Sequence, residues 1–167
     1  MSSVFTLTGL LERESVPFNL TNTLDRIVTY LQGDGGISSA QAGEPKAPPV
    51  GVTRVFASVI MRSTSIVALT LNGTIELHVI LIRLYRDMLA EPQKSIEIDL
   101  ATAAQRIQAD IAGEYDLGGS IRSVDVGGSY GEPLRTDWGY VTISNTMYRI
   151  VDITVPLLVD DSAVLVA

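Results

Sequence analysis

An α+β fold, a mainly antiparallel sheet with a long hairpin packed against two helices, is predicted by three observations. Two stretches, 19–32 and 95–111, carry apolar residues at helical spacing. Most of the remaining chain is β-branched and extended in character. Asn72-Gly73 separates two strand-like arms, the strongest short hairpin signal in the sequence. Runs of antiparallel strands with helices segregated from them make a sheet-and-helix α+β domain. The length, 167 residues, is that of one domain, taken as 1–167.

The first helix places Leu20, Leu24, Ile27, Val28 and Leu31 on one stripe, with Asn22, Asp25, Arg26 and Thr29 facing away. Asn19 or Thr21 caps it and Gly33 ends it. From Gly33 to Gly51 the chain is rich in Gly, Ser, Ala and Pro and poor in apolar anchors, which predicts a long flexible loop over 33–51. Three strand segments follow, at 52–61, 65–71 and 74–85, the last two flanking Asn72-Gly73. In the third, Ile75, Leu77, Val79 and Leu81 alternate with Glu76 and His78. Ile80, Ile82 and Leu84 then make both faces apolar, as in a strand covered on both sides.

Pro92 marks the next boundary. The second helix carries Ile96, Leu100, Ala103, Ala104, Ile107 and Ile111, and Glu97 and Asp99 are expected in its first turn, near the positive helix end. Ile121, Val124 and Val126 predict a short strand before the turn Gly127-Gly128-Ser129-Tyr130-Gly131. The stretch 139–159 reads as one long strand, with Pro156 expected at an edge or bulge.

Nineteen acids against twelve bases give a formal charge of −7. The chain therefore has no electrostatic reason to seek phosphate backbones, and its scattered Lys and Arg form no patch for an anionic membrane. Charged residues are sparse at 19% and mean hydropathy is +0.28, a bias found in domains that hide surface against copies of themselves. The absence of cysteine rules out disulfides and thiolate chemistry. Residues 1–16 lack a basic signal-peptide start, and no apolar run is long enough for a membrane span, so a soluble protein made in the cytoplasm is expected.

No catalytic set emerges. His78 is the only histidine and lies in mid-strand, where a solvated or hydrogen-bonded role outweighs catalysis. There is no Gly-x-Ser-x-Gly elbow and no phosphate-loop signature. Asp160-Asp161, and Glu114 with Asp116, lack the alternating spacing of a calcium loop. Arg149 and Asp152 fall on opposite faces of an extended strand. Neither enzyme activity nor a cofactor or metal is expected. The less favoured alternative is a hydrolase or sugar-binding module built on those carboxylates.

The segment 140–161, with YRIVDITVPLLVDD at its heart, reached through the second helix and GGSIRSVDVGG, resembles the tail-terminator and tail-completion proteins of long-tailed bacteriophages. The likeness is one of layout: helix, loop, long hairpin, helix and final strands. It implies a virion protein of the tail and neck, made in the host cytoplasm. It also implies a homo-oligomer, a hexameric ring that caps the tail tube and joins it to a head-side connector or stopper protein. DNA would pass through the lumen without sequence-specific binding, and the helices would lie outside the ring-forming sheet. Contacts are expected at Asn72 and Gly73 of the hairpin, at Gly35 and Gly36 of the loop, and at Trp138 and Arg149. Another neck, head-closure or minor tail protein is the alternative within this class.

Overall fold

The computed structural model describes residues 18–34, 36–47, 54–71, 73–90, 92–114, 116–119 and 121–161. Gly35, Asn72, residues 1–17, 48–51 of the expected loop and 162–167 lie outside them. The elements are α1 (Leu20–Gly33), β1 (Ile37–Ala42), β2 (Val55–Thr70), β3 (Gly73–Asp87), α2 (Gln93–Gly113), β4 (Ser123–Val124), β5 (Arg135–Ile143) and β6 (Thr146–Asp161). One sheet runs β1-β2-β3-β6-β4, and β5 pairs with β6 beside β4. All neighbours are antiparallel except β1 and β2. The predicted α+β class is the one observed.

Both helices lie on one sheet face. Ile27 and Leu31 of α1, with Ile96, Leu100, Ala103, Ala104, Ile107 and Ile111 of α2, meet Val55, Ala57 and Val59, Ile80, Ile82 and Leu84, and Val151, Ile153, Val155 and Leu157. The register aligns Ile80 with Val155, Ile82 with Ile153 and Leu84 with Val151. The even positions of β3 and the odd positions of β6 therefore share the helix-bearing face. The opposite face holds two smaller clusters, one around Phe56, Tyr85, Tyr148 and Ile150 and the other around Ile75, Leu77, Val79 and Leu158. That division explains why β3 reads as apolar on both sides.

Asn19 caps α1 by accepting the Asn22 N–H at 3.1 Å, and Pro92 holds the cap position of α2. Because α2 begins at Gln93, Glu97 and Asp99 fall beyond its first turn. They pair with Arg149 at 2.8 Å and Arg86 at 3.1 Å instead of meeting the helix end.

Four expectations are corrected. The loop predicted over 33–51 contains β1, whose Ser- and Ala-rich sequence has little strand propensity of its own. It is held by parallel pairing with β2, by burial of Ile37 and Ala40, and by the Gln32 side-chain amide on the Ala40 carbonyl. The two segments expected at 52–61 and 65–71 are joined, over Val55–Thr70, in one strand, β2, kinked by register shifts between Met61 and Ser63 and between Ile66 and Ala68. Each extra residue resets the in-and-out alternation and hides the continuity.

The stretch 139–159 is two strands, folded at Ser144-Asn145 with φ of 47° and 67°. This is the two-residue hairpin geometry that Asn tolerates. Pro156 lies in β6, between strands on both sides. Its carbonyl accepts the Asp125 N–H, so its nitrogen also faces away from β3, into the gap where β6 exchanges β5 for β4 as neighbour. No ladder bond to β3 is lost there.

Candidate assembly surfaces

Two exposed apolar groups lie at diagonal corners of the helix-bearing face. The first is the far end of the β2–β3 hairpin. Thr70 pairs with Gly73, and the Thr70 hydroxyl donates to the Gly73 carbonyl at 2.9 Å, closing the turn. Ile66 is 62%, Leu69 82% and Leu71 98% exposed. Ile66 and Leu69 oppose Glu76 and Thr74 of β3, which puts both on the helix-bearing side. On its outer edge β2 pairs with β1 only through Val59, and among the described residues no strand pairs with its remainder.

The second group lies on the β5–β6 hairpin. Trp138 and Tyr140 oppose Val151 and Arg149, so both rings flank the Arg149 side chain. Its guanidinium carbon is 4.5 Å from the Tyr140 ring centre and 5.1 Å from that of Trp138. The same guanidinium donates to Glu97 at 2.8 Å and to the Gly139 carbonyl at 3.1 Å. Cation–π contact and a charge-assisted hydrogen bond fix the cation, while outer parts of Trp138, Tyr140 and Met147 stay exposed. Trp, Tyr, Arg and Met are the residue types enriched in protein contacts.

Of the six residues expected at contacts, Trp138 and Arg149 are thus brought together. Gly73 lies at the hairpin end, and Gly35 and Asn72 fall outside the described residues. Gly36 lies beside an internal ion pair. Its N–H donates to Asp34 at 2.7 Å, and a Cβ would meet the Arg106 guanidinium at 2.5 Å, where Arg106 pairs with Asp34 at 2.9 Å. Tyr140, Met147 and the apolar hairpin end were missed. The signal of the hairpin end was present in the sequence, since no charge occurs between Arg62 and Glu76.

The opposite face carries a polar cavity of about 410 Å³, with Arg83 and Asp152 at its floor. They oppose each other across β3 and β6 and share two hydrogen bonds, of 2.6 and 2.8 Å. Those bonds hold Arg83 protonated well beyond its ordinary range. Arg149 and Asp152 do lie on opposite faces. An apolar groove of about 520 Å³ runs between the helices over Ile27, Ile111 and Leu117. At its rim Tyr30 donates to Asp110, and burial, then that bond, push the phenol upwards.

His78 is buried on the helix-bearing face, not on a solvated one. One ring nitrogen is 2.8 Å from Glu76, the other 3.4 Å from Thr64, and its ring lies 4.6 Å from Phe18. Among the described residues no three His, Asp or Glu side chains are grouped to hold a metal ion, and no helix is long and apolar enough to cross a membrane. No family model and no curated protein matches the chain.

Proposed function

We propose that this chain is a structural subunit that assembles with copies of itself into a closed ring. Following the resemblance of layout, the ring is the tail terminator of a long-tailed bacteriophage, seated between the tail-tube protein and a head-side connector. One observation carries the reading: the exposed apolar groups on the hairpin end and around Trp138 differ in chemistry and lie at diagonal corners of one sheet face. Unlike surfaces on one subunit make head-to-tail contacts, which close into rings when the rotation per step permits. The formal charge of −7 adds a lumen past which DNA slides without adhering.

Native mass measurement of the purified chain, alone and with a co-expressed tail-tube protein, tests the assembly. Labelling of virions tests the location. The expected result is a discrete ring mass and label at the neck. A protein that stays monomeric in both settings and never enters particles would overturn the reading. Label elsewhere on the particle would favour another neck or minor tail role.

A further inference from the structure

We infer that the ring closes by strand pairing: the open edge of β2 in one copy takes the outer edge of β5 from the next. The inference rests on the assembly reading and adds the surfaces that meet. Among the described residues β2 is unpaired on its outer side from Ile60 to Thr70, and β5, nine residues long, is paired only with β6. Natural edge strands are blunted by charge, proline or coverage. From Ser63 to Leu71 this edge has neither an ionisable residue nor a proline, only the bulge between Ile66 and Ala68. The charges at the start of β5 are paired within the subunit, Arg135 with Asp137 at 3.0 Å. For a protein of net charge −7, these strips are where two copies approach with least repulsion.

Strand direction fits. From β2 through β3 and β6 to β5 every step is antiparallel. A neighbour related by rotation about an axis roughly along the strands presents its β2 antiparallel to β5, so the alternation continues across the joint.

Height fits as well, once the strands tilt. Arg135 is level with Thr154, Leu81 and Ile60, so β5 begins at the height where the open half of β2 starts. Copies must therefore be staggered, and a stagger is what closing a sheet into a barrel requires. A shift of about six residues sets Arg135–Val141 against the open edge. It amounts to roughly 20 Å along the strands over roughly 19 Å of sheet width, a tilt of about 45°.

The chain has no native cysteine, so paired cysteines report the contact directly. Ser65→Cys and Asp137→Cys, both at exposed positions on one sheet face, are purified separately, mixed and treated with a short bismaleimide. A dimer-sized product from the mixture, and a closed ladder up to the ring from the doubly substituted chain, is expected. Ile66→Lys, exposed in the subunit, should leave the monomer's melting unchanged and weaken ring formation at least tenfold in protein concentration. If rings form but Ser65→Cys links only to itself, or Ile66→Lys assembles normally, the pairing is wrong and the assembly reading stands. If no oligomer forms with or without the tube protein, both fail.

Discussion

Arg83 and Asp152 face each other across the two central strands and share two hydrogen bonds, in a row that continues to Ser58 of β2 and Asp137 of β5. The pair lies on the sheet face without helices, and each side chain is about one-fifth exposed. Breaking such a pair from one side leaves a partly desolvated cation with the Tyr85 hydroxyl and with Glu44, itself largely exposed, at 3.4 Å. Asp152→Asn should therefore lower stability by about 1–3 kcal/mol. In urea titrations the midpoint should fall with an unchanged slope, because the surface exposed on unfolding is the same.

Tyr85 gives the fold an alkaline limit. Burial pushes its phenol above the ordinary value of 10.0, against smaller opposing contributions from Ser58 and Arg83. A group whose pKa is raised in the folded state contributes fully below its unfolded value and loses that contribution as pH rises through the folded one. Stability should thus hold through neutral and mildly alkaline pH and decline above about pH 10. Tyr148 shifts the same way through burial, so Tyr85→Phe should reduce the alkaline decline without abolishing it. At pH 7 the same variant should be weaker by about 1 kcal/mol, because the buried Ser58 hydroxyl loses its partner at 3.2 Å. Thermal melts of both proteins between pH 7 and 11 decide this.

The turn at Ser144-Asn145 has positive φ at both residues. Asn145→Gly relieves that backbone and should be neutral or stabilising by up to about 1 kcal/mol. Asn145→Val, β-branched in the left-handed region, should destabilise by about 1–3 kcal/mol. Loss of the β5–β6 pairing would appear first as faster amide exchange in residues 135–143.

Trp138 is the only tryptophan, which makes it a reporter of its own surface. In the free subunit it is 42% exposed, and its emission should lie at the red end of the usual range. Assembly should shift the emission to the blue as the patch is covered, with the same concentration dependence as the ring mass. An unchanged spectrum in the assembled state would remove Trp138 from the contact.

Helix positions were legible because Ile27, Leu31, Ile96, Leu100 and Ile107 repeat at the helical period and all face one sheet. The Asn72-Gly73 hairpin was legible from its turn. Three things were not. β1 depends on pairing and burial rather than propensity. The bulges of β2 interrupt the period on which strand detection relies. The Ser144-Asn145 turn lacks glycine, and its flanks, Ile143 and Thr146, continue the strand pattern without a break. The meeting of Arg149 with Trp138 and Tyr140 was out of reach for the same reason, since it depends on the hidden turn that lays β5 against β6.

The pairing of β3 with β6 also sets the order in which the chain can complete itself. β3 is complete at Asp87, while its partner begins at Thr146, roughly sixty residues later, or some 3–12 s of synthesis at ordinary ribosomal rates. Through that interval the β2–β3 hairpin exists with the inner edge of β3 bare and its apolar side chains half covered. Nascent-chain protection by a holdase is expected to peak while residues 90–145 emerge and to end when β6 docks.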